Sequence, residues 1–192
     1  MNNIKILIIV IVSGFLLFNT LDVQAEPDFD KEIVNTARRS LFEYLKYNKV
    51  YEPVKAITDY NCGVFVTLTK NNKVRGCMGT VFPKQANLSE EIVHNTILAA
   101  SGDTRHQRIS MSEYPHIKYN ISLVKNVRRA EPSELNPKRL GLFVVSGSKG
   151  AVLLPGEAKT AGWQLYECRR KAGIKEGEPV IMYVFETVLI SG

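Results

Sequence analysis

The stretch GVFVTLTKNNKVRGCMG, residues 63–79, decides the fold. Two arms rich in β-branched and aromatic residues flank Asn71-Asn72, a pair that tolerates the positive φ of a tight turn, so the segment reads as a β-hairpin. A turn centred on those two asparagines sets Cys77 opposite Val66 and leaves Cys62 four residues further along the first arm. Four residues of strand span ~13 Å, beyond the reach of a disulfide in that register.

Working outward, residues 28–48 (DFDKEIVNTARRSLFEYLKYN) space Ile33, Val34, Ala37, Leu41, Tyr44 and Leu45 by threes and fours, with acids early and lysines late. That pattern predicts an amphipathic helix whose charges suit its own dipole. LSEEIVHNTILAA, residues 88–100, predicts a second helix stopped by Gly102. IKYNISLVKNV (117–127) is a strand, and a loop punctuated by Pro132 and Pro137 follows it. LGLFVVSGSKGAVLLP (140–155) is a second hairpin turning at Gly147 to Gly150, GWQLYECRRKAG (162–173) a helix closed by Gly173, and PVIMYVFETVLI (179–190) the last strand. Hairpin-joined strands with separate helices give an α+β class with a mostly antiparallel sheet.

Residues 1–25 are set apart. Lys5 precedes an apolar run from Ile6 to Phe18, and Val23-Gln24-Ala25 supplies small residues where a leader peptidase cuts, so the expectation is a cleaved signal peptide and an exported, periplasmic chain of residues 26–192. The run is shorter than the ~20 residues a bilayer span needs, so no permanent membrane span is expected. The leader carries one lysine and one aspartate, so the remaining chain keeps the net charge of +6. Its basic residues are scattered and not interleaved with aromatics, which favours solubility over nucleic-acid binding. Cys62, Cys77 and Cys168 show no CxxC spacing and no nearby histidine, so no metal site is signalled.

ARRSLFEYL in the first helix, GVFVTL leading into VRGCMGT, the VLLP arm, and GW followed by KAG occur in the order found in the AMME chromosomal-region (AMMECR) domain family, which the chain resembles over nearly all of residues 26–192. That family's signature, Leu-Arg-Gly-Cys-Ile-Gly, reads here Val74-Arg75-Gly76-Cys77-Met78-Gly79. The resemblance implies a two-lobed α+β domain, each lobe with an antiparallel sheet flanked by helices, and the signature facing a cleft between lobes. It implies no cofactor and no established reaction. It implies either a stand-alone protein or one associated with a Memo-type dioxygenase-like protein and a radical S-adenosylmethionine (radical-SAM) enzyme as partners. Where the family has a segment like Asp-Pro-Arg-Phe-Pro-Pro, this chain keeps Asp103 and Arg105 but carries His106 after them.

The candidate site follows from the signature. Cys77 is a nucleophile if Arg75 lowers its pKa and Gly76 and Gly79 let a substrate approach; otherwise it is a small buried residue in a strand. Arg75 either clamps an anionic ligand or forms an ion pair with Asp103 or Glu157. His106 is a base for Cys77 or a packing residue, and Glu157 lines the cleft or opens a short helix. Thr80, Asp103 and Arg105 complete the ligand-binding set. Cys168 and Trp163 are read as packing and anchor residues of the last helix. Three functions remain open: a module binding a peptide, protein or sizeable ligand, an enzyme using Cys77, or a target of the associated modification system.

Overall fold

The first hairpin forms around Asn71 and Asn72, both at positive φ (52° and 59°). The computed structural model describes residues 28–192, so the expected leader lies outside the described residues. Strand β1 (Val64–Lys70) pairs antiparallel with β2 (Lys73–Gly79). Lys70 faces Lys73 and Thr69 faces Val74 as expected, but Leu68 then faces Gly76. Arg75 is thus an extra residue in β2, a β-bulge, and beyond it Cys77 lies opposite Thr67 and not Val66. Because side chains alternate between faces, this one-residue slip decides which side of the sheet receives the thiol.

The remaining elements are α1 (Phe29–Tyr47), α2 (Leu88–Ser101), β3 (Lys118–Arg129), β4 (Gly141–Ser146), β5 (Lys149–Leu153), α3 (Ala161–Ala172) and β6 (Ile181–Ser191). Capping explains where the helices end. Asn48 closes α1 in the left-handed conformation, and Gly173 does the same for α3. Asn87 and Thr160 accept hydrogen bonds from the Glu90 and Trp163 amides at the starts of α2 and α3. The second hairpin turns more tightly than expected: Ser146 pairs with Lys149, so only Gly147 and Ser148 form the loop. Glu157 opens no helix; it sits in a turn whose Gly156 has φ +86°.

The α+β class and the antiparallel pairing hold. Instead of one sheet per lobe, however, a single six-stranded sheet runs in the order β2-β1-β3-β6-β4-β5. The long strands β3 and β6 join what would have been two sheets. On one face, α1 and α2 bury Val64, Val66, Leu68, Ile121 and Ile190, while α3 buries Leu142, Val144 and Val184. The alternate residues of the same strands, Phe65, Val124 and Phe185 with Phe143 and Val152 beside them, form a smaller cluster on the other face. Gly79 of β2 and Gly150 of β5 line one cavity of about 270 Å3. Those two strands are the opposite edges of the sheet, so the sheet must curl toward this second face.

Two buried features fasten the signature strand. A Cβ on Gly76 would sit 1.8 Å from the Ala99 carbonyl oxygen, so β2 lies directly against the backbone of α2. Glu91, fully buried in α2, accepts hydrogen bonds from the Thr80 hydroxyl, the Lys84 and Gln85 amides (2.8 and 2.9 Å) and Asn95 (3.0 Å). Burial alone would raise its pKa, yet these donors outweigh that and hold it below the ordinary value. Gly76→Ala is expected to destabilise the protein by about 3 kcal/mol or more in urea unfolding, because backbone rather than a flexible side chain blocks the methyl group. Gly162→Ala, in open space within α3, is the control and should stabilise by roughly 0.5 kcal/mol.

Candidate functional site

The bulge puts Cys77 and Gly79 on the curled face, where no helix packs among the described residues, beside Thr67 and Phe65. The half-buried Cys77 thiol accepts a hydrogen bond from Thr67 Oγ1 at 3.1 Å. Burial pushes this thiol up, and the charges of Glu157 and Asp103 add to the effect while Thr67 and Arg105 oppose it. The thiolate is therefore disfavoured at neutral pH, contrary to the expectation of activation by Arg75. Cys62 and Cys168 are buried free thiols as well; burial lifts Cys168 to about 12, and its Sγ lies 3.5 Å from the Leu142 carbonyl oxygen, the packing role expected of it.

Arg75 is engaged elsewhere. Its Nε and Nη2 donate to the two carboxylate oxygens of Glu113 at 2.9 and 3.2 Å, a bidentate pair that Lys70 joins at 3.3 Å. The ion-pair reading of Arg75 was therefore the right kind with the wrong partner: Glu113, not Asp103 or Glu157. Arg75 holds Glu113 down to about 2, with Ser110 and Lys70 helping and burial opposing. Asp103 pairs instead with Arg105, two residues on, through Nε to Oδ1 and Nη2 to Oδ2, both 2.8 Å. That pair holds the Asp103 carboxyl far below the usual carboxylate range.

The Asp103–Arg105 pair has a defined task. β2 is an edge strand, and at Cys77 its outward amide donates to Asp103 Oδ2 at 2.9 Å while its carbonyl accepts from Arg105 Nη2 at 3.0 Å. A carboxylate and a guanidinium thus stand in for a missing neighbouring strand and close this part of the edge. The structure brings Cys77, Asp103, Arg105 and Glu157 into one neighbourhood, the last close enough for its charge to act on Cys77 and Arg105. The Glu157 carboxylate also accepts the Leu154 amide at 2.9 Å. Gly76 faces α2 and the Thr80 hydroxyl is spent on Glu91, so neither lines the open face through a side chain. The His106 amide bonds the Asp103 carbonyl, and no side-chain hydrogen bond joins His106 to Cys77 among the described residues. Trp163, read as an anchor of α3, is 46 % exposed.

Sequence reasoning missed the aromatic wall beside this neighbourhood. Phe82, 45 % exposed, meets Tyr183 edge-on at 5.3 Å between ring centres and Phe143 at 6.4 Å, and Arg129 lies 6.0 Å over Tyr183. The available signal was that GLFVVS and VIMYVFETV are apolar at consecutive positions, as strands apolar on both faces are. Glu113 carried no local signal, lying 38 residues from its arginine.

An α+β protein whose one curled antiparallel sheet carries an arginine-glycine-cysteine strand at its edge is the class this geometry defines. The AMMECR1 family model matches residues 34–190, and the chain belongs to that family. A Thermotoga maritima protein is 36 % identical over 151 residues, covering 74 % of this chain and 87 % of its own length. A Clostridium acetobutylicum protein is 33 % identical over 165 residues; these are 82 % of this chain but only 35 % of that longer protein. The crystal structure of an uncharacterised Pyrococcus horikoshii protein superposes with a TM-score of 0.73 at 27 % identity, over 84 % of this chain and 90 % of its own.

Two measurements check the electrostatics. Glu113 has a folded pKa below its ordinary 4.5, so its stabilisation is complete above that pH and is lost as pH falls toward 2. Glu113→Gln should lower stability at pH 7 and flatten the acid limb of a stability-versus-pH curve. The rate of iodoacetamide labelling at Cys77 should be slow at pH 7 and should rise only above the midpoint of a free thiol, ~8.5; fast labelling at neutral pH would contradict the site described.

Proposed function

We propose that this chain is a binding module whose open sheet face, floored by the signature strand and walled by Phe82, Phe143 and Tyr183, takes a peptide or protein segment. The observation that carries this reading is a partly exposed aromatic cluster, with Phe82 at its rim, on a sheet face that no helix covers among the described residues, next to a sheet edge. The cysteine supports it from the other side: its pKa is raised rather than lowered, and neither Arg75 nor His106 is placed to activate it. In this reading Asp103 and Arg105 shape the edge, Gly79 keeps the floor low, and Glu157 borders the face. The leader-like residues 1–25 put the encounter outside the cytoplasm, in the periplasm. Partners of the Memo and radical-SAM type would then contribute only if they, or their products, reach that compartment.

The test is a selection from a random linear-peptide display library on the purified chain, followed by hydrogen exchange with a selected peptide. Protection should concentrate at Val74–Lys84, Phe143 and Tyr183, and Phe82→Ala should weaken the peptide by roughly tenfold. Cys77→Ser separates the readings, because it spares a binding module and removes a cysteine enzyme. Peptides that protect only the 50–60 loop, or a selection that yields none, would sink the proposal.

A further inference from the structure

The two strands that look into the same cavity are the edges of the sheet, each without a neighbour on its outer side among the described residues, and the hydrogen-bonding pattern tells which backbone groups they present. In an antiparallel ladder, residues pointing toward the neighbour alternate with residues pointing away. Thr80 donates to Val64 at 3.0 Å and so points inward, whereas Cys77 points outward to Asp103 and Arg105. Gly79, two residues after Cys77, therefore turns its N–H and C=O outward too, one step past the place where the Asp103–Arg105 pair stops. On the opposite edge the two-residue hairpin starting at Ser146–Lys149 makes Gly150 and Val152 the outward residues of β5. The Val152 carbonyl is already taken by Lys171 at 3.2 Å. Gly79 and Gly150 thus present bare backbone from both sides of one cavity of about 270 Å3, too small for a folded element but suited to a short extended chain.

The charges around the gap select the chain's character. Lys84 lines the cavity and takes part in no ion pair among the described residues; Arg129 likewise has none and lies over Tyr183. The acid on this side, Glu157, sits at the other end, near Cys77 and Arg105. Two unpaired cations beside an aromatic wall suit a ligand that carries carboxylates together with an apolar side chain.

Resting on the binding-module reading, we propose that the ligand is an extended acidic segment of a partner protein, and that it adds as a strand at the β2 edge beyond Cys77. Its backbone pairs with Gly79 and spans toward Gly150, an apolar side chain packs on Phe82 and Phe143, and a carboxylate meets Lys84. Strand addition supplies affinity through the main chain, and the wall and the lysine supply choice of sequence. The Asp103–Arg105 pair then acts as a stop that fixes where the added strand ends.

The experiment uses the peptides selected above against the purified full-length protein. They should be rich in Asp or Glu beside an aromatic or β-branched residue. Methylation of successive backbone nitrogens should reduce affinity in a period of two, by roughly tenfold at the pairing amides and little between them. Lys84→Glu, a surface change that leaves the Lys84 amide to Glu91, should weaken the acidic peptides by roughly tenfold and turn the selection toward basic ones. Peptides that protect the open face but tolerate methylation everywhere, or that ignore Lys84→Glu, would overturn strand addition while leaving the binding module standing. An absence of any open-face ligand would overturn both.

Discussion

The contact between Gly76 and the Ala99 carbonyl is the constraint on which the rest depends. A helix can lie this close to an edge strand only where the strand has no side chain on that face. The bulge at Arg75 makes the two requirements compatible: it lets the residue facing α2 be the glycine while its neighbour Cys77 turns to the other side. With an unbulged hairpin, the thiol would enter the helix-side core and the glycine would face the open side. The side of the sheet that receives the thiol, and the glycine floor left on the open face, follow from that one extra residue and the packing it permits.

Three structural acids, Glu91 and Asp103 buried and Glu113 half-buried, belong to the same design. Glu91, Asp103 and Glu113 each hold backbone or an arginine rather than facing solvent as a catalytic carboxylate would. Glu91 fixes the chain leaving β2, Asp103 closes the edge at Cys77, and Glu113 grips the bulged arginine. All three have lowered pKa values because they receive several donors at once, which is what a structural carboxylate needs to offset its burial. These three acids are thereby committed to the scaffold, and the open face is left to aromatic rings, glycine backbone and cations, with Glu157 at its border.

Much of the scaffold was legible in the residues. The spacing in residues 28–48 and 88–100 marked α1 and α2 to within a residue or so, Asn71-Asn72 marked the turn, and Gly173 marked the end of α3, because each is a local preference of backbone or side chain. The register was not legible, since a bulge is decided by what packs on both faces of a strand and Arg75 looks like any strand residue. The residues pointed to a mostly antiparallel sheet, but the one-sheet-per-lobe arrangement implied by the family resemblance does not hold: β3 and β6 are long enough to bridge two halves, and their pairing is non-local.

For the candidate site the division is sharper. The sequence by itself determined which residues would gather near the signature, since Cys77, Asp103, Arg105 and Glu157 do share one neighbourhood. Only the tertiary structure decided what they do there. Arg75 was committed to Glu113 and the Asp103–Arg105 pair to the strand edge by distances that no linear spacing encodes. In the aromatic wall, Phe143 and Tyr183 face each other across the paired strands β4 and β6, and sheet curl brings Phe82, which follows β2, against them. Local preferences are written residue by residue, whereas a partner for a charge or a face for a ring exists only once the sheet has closed the distance between them.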